Sequence, residues 1–167
     1  MSRQKMHRGR IGAVALVLSL ALAAPGGGAT EAAGCETPFV VYTDPANPGM
    51  SEQTGAVSYT HSAGLLGEYG GDGRFAGYSI NGEQTLILDT TTGTARAQGH
   101  FVASSPDGSG SIEVGYVGLV DFGAGMATGT FTAGSGTGDD AGYHASGTLS
   151  GMVVGPATLE GVNAGLC

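Results

Sequence analysis

The chain has 167 residues and a formal net charge of −8, and its six basic residues are Arg3, Lys5, Arg8, Arg10, Arg74 and Arg96. Beyond residue 30 only Arg74 and Arg96 remain to face all 14 acidic residues, so no basic stripe exists to release counterions, which excludes nucleic acid and anionic membrane surfaces as partners. Glycine supplies 33 residues without a G-X-Y period, while aliphatic residues persist to the end; this excludes collagen and argues against simple disorder.

Four of the cations fall within residues 1–10, and residues 11–23 are almost wholly apolar. That order predicts an export signal over residues 1–29, cut somewhere between 23 and 33. The apolar run is too short for a hydrocarbon core that needs roughly 20 helical residues, so no membrane span is expected. Without an Arg-Arg pair the general secretory route is expected. The domain over residues 30–167 is then extracellular or periplasmic.

Only two cysteines occur, Cys35 and Cys167. Outside the cytosol such a pair predicts a disulfide tying the two ends of the domain together. The competing reading takes Ala32-Ala33-Gly34-Cys35 as a degenerate lipid-attachment site, with Cys167 free. It lacks the usual Leu three residues before the cysteine and sits far beyond the apolar run.

No stretch beyond the signal carries a 3.6-residue period. Short segments rich in Val, Thr, Ile, Tyr and Phe instead alternate with Gly, Asp, Asn and Pro clusters, which is how a many-stranded β domain reads. Candidate strands run over residues 38–43, 55–61, 64–69, 75–80, 84–89, 94–104, 111–122, 126–133, 143–154 and 157–162. The Pro-rich segment 44–49 reads as a loop, and segments 90–93, 106–110 and 123–125 carry hairpin chemistry. The expected fold is all-β: a single closed antiparallel barrel of about eight strands with up-and-down topology. Closure removes free strand edges and brings first and last strands together, as the cysteine pair also requires.

An internal echo runs through the chain: Gly71-Asp72-Gly73-Arg74-Phe75-Ala76-Gly77-Tyr78 returns as Gly136-Thr137-Gly138-Asp139-Asp140-Ala141-Gly142-Tyr143. Two similar loop-to-strand corners are expected there. The second copy, within the run from Gly129-Thr130-Phe131 to Ser146-Gly147, resembles the G-T-G-x-[FL]-A-G-x-x-G segment of small barrels related to allene oxide cyclase and plant dirigent proteins. Gly73-Arg74-Phe75-Ala76-Gly77 echoes it, and the similarity reaches back through Gly99-His100-Phe101-Val102 to bacterial members of unassigned function. The resemblance implies an eight-stranded barrel with a central cavity, in a group of isomerising cyclases, proteins that orient radical coupling, and members with no known activity. The cavity residues of the catalytic members find no match here, and Asp139-Asp140 stands where the motif is usually hydrophobic, so no catalytic residue carries over.

Alternation in segment 111–122 puts Ile112, Val114, Tyr116, Val120 and Phe122 on one apolar face, with Glu113 and Asp121 opposite. In segment 94–104 it sets Arg96, Gln98 and His100 against Ala95, Ala97, Phe101 and Ala103. His61 falls in phase with Val57 and Tyr59 and is the one candidate for chemistry. Lining a barrel beside Tyr59, Tyr78 or Tyr143, it would act as acid or base on a bound ligand; the plainer reading is a hydrogen-bonded structural histidine. His144 reads as part of an outward polar row with Ser146, Thr148 and Ser150. The four histidines lack metal-binding spacing, segment 107–113 lacks the glycine and distal Glu of an EF-hand, and no cofactor or metal is expected. Glycine matches to the dinucleotide fingerprint open no helix, and no G-x-S-x-G elbow occurs.

These readings lead to an exported barrel that binds a small apolar or aromatic molecule in its interior without clear catalytic machinery. Two rivals remain at the level of sequence: a cofactor-free cyclase or isomerase using His61 and a tyrosine, and an extracellular structural or surface-interaction module.

Overall fold

The computed structural model describes residues 35–155 and 157–167. The predicted export signal and its cleavage window lie outside the described residues. Nine strands follow in order: β1 (Glu36–Thr43), β2 (Met50–Thr54), β3 (Val57–Tyr69), β4 (Ser79–Asp89), β5 (Thr94–Ser104), β6 (Gly110–Asp121), β7 (Met126–Gly138), β8 (Ala145–Gly155) and β9 (Thr158–Ala164). No helix occurs among the described residues. From β2 to β9 each strand pairs antiparallel with the next, β9 pairs with β1, and β1 closes on β3. Eight strands, β1 and β3 to β9, thus make the closed up-and-down barrel that the sequence predicts, and β2 is an addition to its rim.

The strand boundaries differ from the sequence reading in instructive ways. Segments 55–61 and 64–69 are one strand, β3, which pairs first with β2 and then with β1. A register shift between Ser62 and Leu65 marks the change of partner, and Ala63-Gly64, which looks like punctuation, is a bulge. Asn81-Gly82 also looks like a break, yet both residues stay in register with Val102 and Phe101 inside β4. Phe75 belongs to the connection before β4, not to a strand. β2 has no hydrophobic alternation at all, every residue of it is exposed, and its backbone ladder to β3 holds it in place.

Cys35 and Cys167 form the predicted disulfide, with Cα atoms 5.9 Å apart across 132 residues of sequence. It joins the start of β1 to the chain just beyond β9, and the neighbouring backbone bond from Gly165 N–H to the Cys35 carbonyl (2.9 Å) continues the same seam. Cys35 is engaged in this bond, which argues against the lipid-attachment reading. A disulfide fits a non-reducing compartment.

One end of the barrel is plugged. Tyr69, Phe75, Ile112 and Leu166 are fully buried there in one cluster with Phe101 and Ile80. The echoed segments build this plug by meeting face to face. Both corners have the same hydrogen bonds, Ala76 N–H to Gly73 O and Tyr78 N–H to Phe75 O in one, Ala141 N–H to Gly138 O and Tyr143 N–H to Asp140 O in the other. In both a glycine with positive φ, Gly77 at 77° and Gly142 at 80°, turns the chain into the next strand. Phe75 and Asp140 occupy the equivalent buried position. The Phe75 ring meets those of Tyr78 and Tyr143 edge-on, at 5.2 and 5.0 Å between centroids, a preferred aromatic geometry. Asp140 receives Arg74 Nη2 at 2.9 Å and the Tyr78 hydroxyl at 3.0 Å. The two corners are therefore halves of one lid.

Candidate functional site

Inward positions change character along the barrel axis. Next to the plug they are aromatic or aliphatic. Toward the other end they shrink to Ala97, Gly118 and Ala127, and the small cluster of Ala95, Val120 and Ala127 leaves the barrel axis unfilled. The result is a cavity of about 400 Å³, bounded by Phe39, Phe101 and Phe131 toward the plug and by Val41, Leu86 and Leu159 on its walls. This volume lies within the roughly 300–1,000 Å³ range of small-molecule sites. Small residues such as Ala127 and Gly129 around Phe131 are compatible with either a roomy or a tightly closed lumen, and the structure has an open one.

Few polar groups face this cavity. The Tyr116 hydroxyl donates to Gln84 Oε1 at 3.3 Å, and Gln84 Nε2 donates to Thr43 Oγ1 at 3.3 Å, making a chain of neutral groups across the lumen. Deeper in, Asn163 Nδ2 donates to the Tyr69 hydroxyl at 2.8 Å. Burial pushes the hydroxyls of Tyr116 and Tyr69 above the usual tyrosine range, so both stay protonated across the physiological range. Tyr116 fits because its cross-strand partner is Gly99: a Cβ there would stand 2.9 Å from the tyrosine Cζ. Ser62, on the same face of the sheet as its cross-strand partner Gln84, is 2% exposed, and its hydroxyl has no hydrogen-bond partner.

None of the four residues that the sequence nominated lines the cavity. The phase linking His61 to Val57 and Tyr59 is right, but the bulge after Ser62 reverses the strand's faces. Thr60 and Ser62 point inward while Val57 and Tyr59, each nearly half exposed, point out. His61 Nδ1 sits 3.2 Å from Thr85 Oγ1, and its Nε2 lies 3.9 Å from Glu83, whose other oxygen lies 3.6 Å from His100. This outer group borders a depression of about 470 Å³ near Gly115 and Val117 that opens broadly to solvent. Among the described residues no cluster of His, Cys, Asp or Glu has a metal-binding arrangement. Tyr78 and Tyr143 belong to the plug, Tyr78 on Asp140 and Tyr143 accepting the Cys167 N–H at 3.2 Å. Burial raises the hydroxyl pKa of both.

The cavity groups left unnamed were partly readable. Alternation puts Tyr116 on the apolar face of its strand, and Gln84 is in phase with Leu86 and Leu88, a polar residue within an apolar row. Which of several such rows faces an empty lumen depends on barrel closure, which no single strand encodes. No protein-family model, curated protein or solved structure matches this chain.

Proposed function

We propose that this protein is an exported β-barrel that holds a small apolar or aromatic molecule in its lumen without chemistry of its own. The observation that carries the reading is the cavity of about 400 Å³, open at one end of the barrel, walled by Val41, Leu86 and Leu159 and floored by phenylalanine rings. Apolar area of that kind favours an apolar guest at roughly 25 cal/mol per Å² removed from water. The disulfide supports an extracellular or periplasmic setting. The resemblance to cyclase-like and dirigent-like barrels implies a central cavity of the same sort. The isomerase rival assigned its acid–base step to His61, and the position of that residue on the outer wall withdraws its support.

The test is a fluorescence titration of the purified, oxidised protein with the neutral aromatic probe N-phenylnaphthylamine. Saturable binding at one site, abolished by Ala97→Phe in a variant that keeps the far-ultraviolet signature of the barrel, is the expected result. Absence of saturable binding to the folded protein overturns the reading. Function would then move to the outer wall, where Tyr59, Ile87, Val117 and Leu119 are exposed.

A further inference from the structure

Resting on the lumen reading, we infer that the guest is a neutral molecule bearing one hydrogen-bond-accepting oxygen, a ketone, aldehyde, ester or similar carbonyl, which is held by Tyr116. Three features of the barrel lead there.

The first is charge. Among the described residues the only side chains with permanent positive charge are Arg74 and Arg96. Arg74 is committed to Asp140 in the plug. Arg96 is exposed, on the face opposite the inward Ala95 and Ala97. No cation therefore meets a carboxylate or phosphate inside, and an unpaired buried anion is strongly disfavoured. Where the barrel opens, Asp44, Asp89 and Asp121 stand at or just beyond the ends of β1, β4 and β6. Their field opposes the approach of an anion, and among the described residues no Asp or Glu lines the cavity to pair with a buried cation.

The second feature is the Thr43–Gln84–Tyr116 chain. Its groups are neutral and its two bonds, both 3.3 Å, are at the long end of the hydrogen-bond range. Tyr116 can release Gln84 and donate to a carbonyl oxygen of the guest at little cost. A purely hydrocarbon guest would leave this donor no better satisfied than before.

The third is Ser62. Its hydroxyl is buried without a partner beside Gln84, a costly arrangement for a polar group. When Tyr116 turns to the guest, Gln84 Oε1 loses its donor, and Ser62 is the hydroxyl placed to supply a new one. Guest binding then relieves an unsatisfied group instead of creating one. Ser62 acts here as a positioning residue, through Gln84 and not on the guest.

Displacement of N-phenylnaphthylamine from the oxidised protein by four eight-carbon competitors tests the inference: methyl hexyl ketone, n-octane, octanoate and octylammonium. The ratio of ketone to octane affinity is expected to be about tenfold higher in the wild-type protein than in Tyr116→Phe, the fold-change that one good neutral hydrogen bond supplies, while octane binds both alike. The ketone is also expected to bind at least about tenfold tighter than octanoate and octylammonium. Ser62→Ala should reduce the gain in the ketone ratio severalfold. Octanoate or octylammonium binding as tightly as the ketone, or a ketone ratio unchanged by Tyr116→Phe, overturns the inference. If the dye binds and these results appear, the lumen reading stands without this refinement; if the dye itself fails to bind, both fall.

Discussion

Arg74 and Asp140 share one ion pair, yet their removal should carry very different costs. Asp140 is 1% exposed and accepts from Arg74 Nε at 3.2 Å, from Arg74 Nη2 at 2.9 Å and from Tyr78 at 3.0 Å. The Arg74 side chain is 45% exposed and lies over the Tyr143 ring at 5.0 Å. In Arg74→Met the apolar stem still covers Tyr143, but the carboxylate stays buried with Tyr78 as its remaining side-chain partner. Leaving a buried charge uncompensated costs about 3–5 kcal/mol, and the surviving Tyr78 bond places this case near 3. In Asp140→Asn the arginine turns to water, since it is already half exposed, and the amide oxygen still accepts from Tyr78. What is lost is a screened ion pair and part of one charge-assisted hydrogen bond, about 1–2 kcal/mol. The variant at the exposed residue is therefore the more harmful, and the double variant, with no buried charge left, should be more stable than Arg74→Met alone. Urea unfolding at neutral pH of the oxidised protein, with the m-value unchanged across the set, measures all three. A cost for Arg74→Met no greater than for Asp140→Asn, or a double variant whose loss is the simple sum of the two, would refute the claim that the plug is held by a buried charge.

Two further outcomes follow from the same structure. Reducing the Cys35–Cys167 bond, or replacing both residues with serine, frees a loop of 132 residues and should lower stability by about 4–5 kcal/mol in the chain-entropy model; unfolding by urea with and without reductant tests this, and coincident curves would show that the seam between β1 and β9 holds without it. The raised hydroxyl pKa values of Tyr69, Tyr78, Tyr116 and Tyr143 have one common leading cause, burial. Because the folded pKa lies above the unfolded value of about 10, the stabilisation is complete below pH ~10 and is lost as pH rises beyond it. Tyrosinate absorbance and circular dichroism followed together should show these four residues ionising as the barrel unfolds; ionisation near the ordinary value in an intact fold would contradict their burial.

The sequence determined the class of fold because period-2 alternation and turn chemistry are local. The β5 strand, Thr94–Ser104, was legible to the residue, with Arg96, Gln98 and His100 outward as alternation requires. The paired cysteines and the need to remove strand edges were enough to predict closure. The echoed corners were visible too, as glycine-marked turns. Only the folded chain, however, shows that Arg74 of one corner reaches Asp140 of the other, since 66 residues separate them.

Local pattern failed wherever the deciding quantity was a relation between strands. β2 has no pattern, and a free stretch of β3 edge creates it. The bulge between Ser62 and Leu65 coincides with the point where β3 changes partner, and that reversal moved His61 and Tyr59 from the expected lumen to the outer wall. The cavity depends on how eight inward faces add up. Each contributes a small residue or a phenylalanine that is unremarkable by itself, and their sum around a closed circumference decides that Tyr116 and Gln84 face open space while Tyr78 and Tyr143 are packed into a lid.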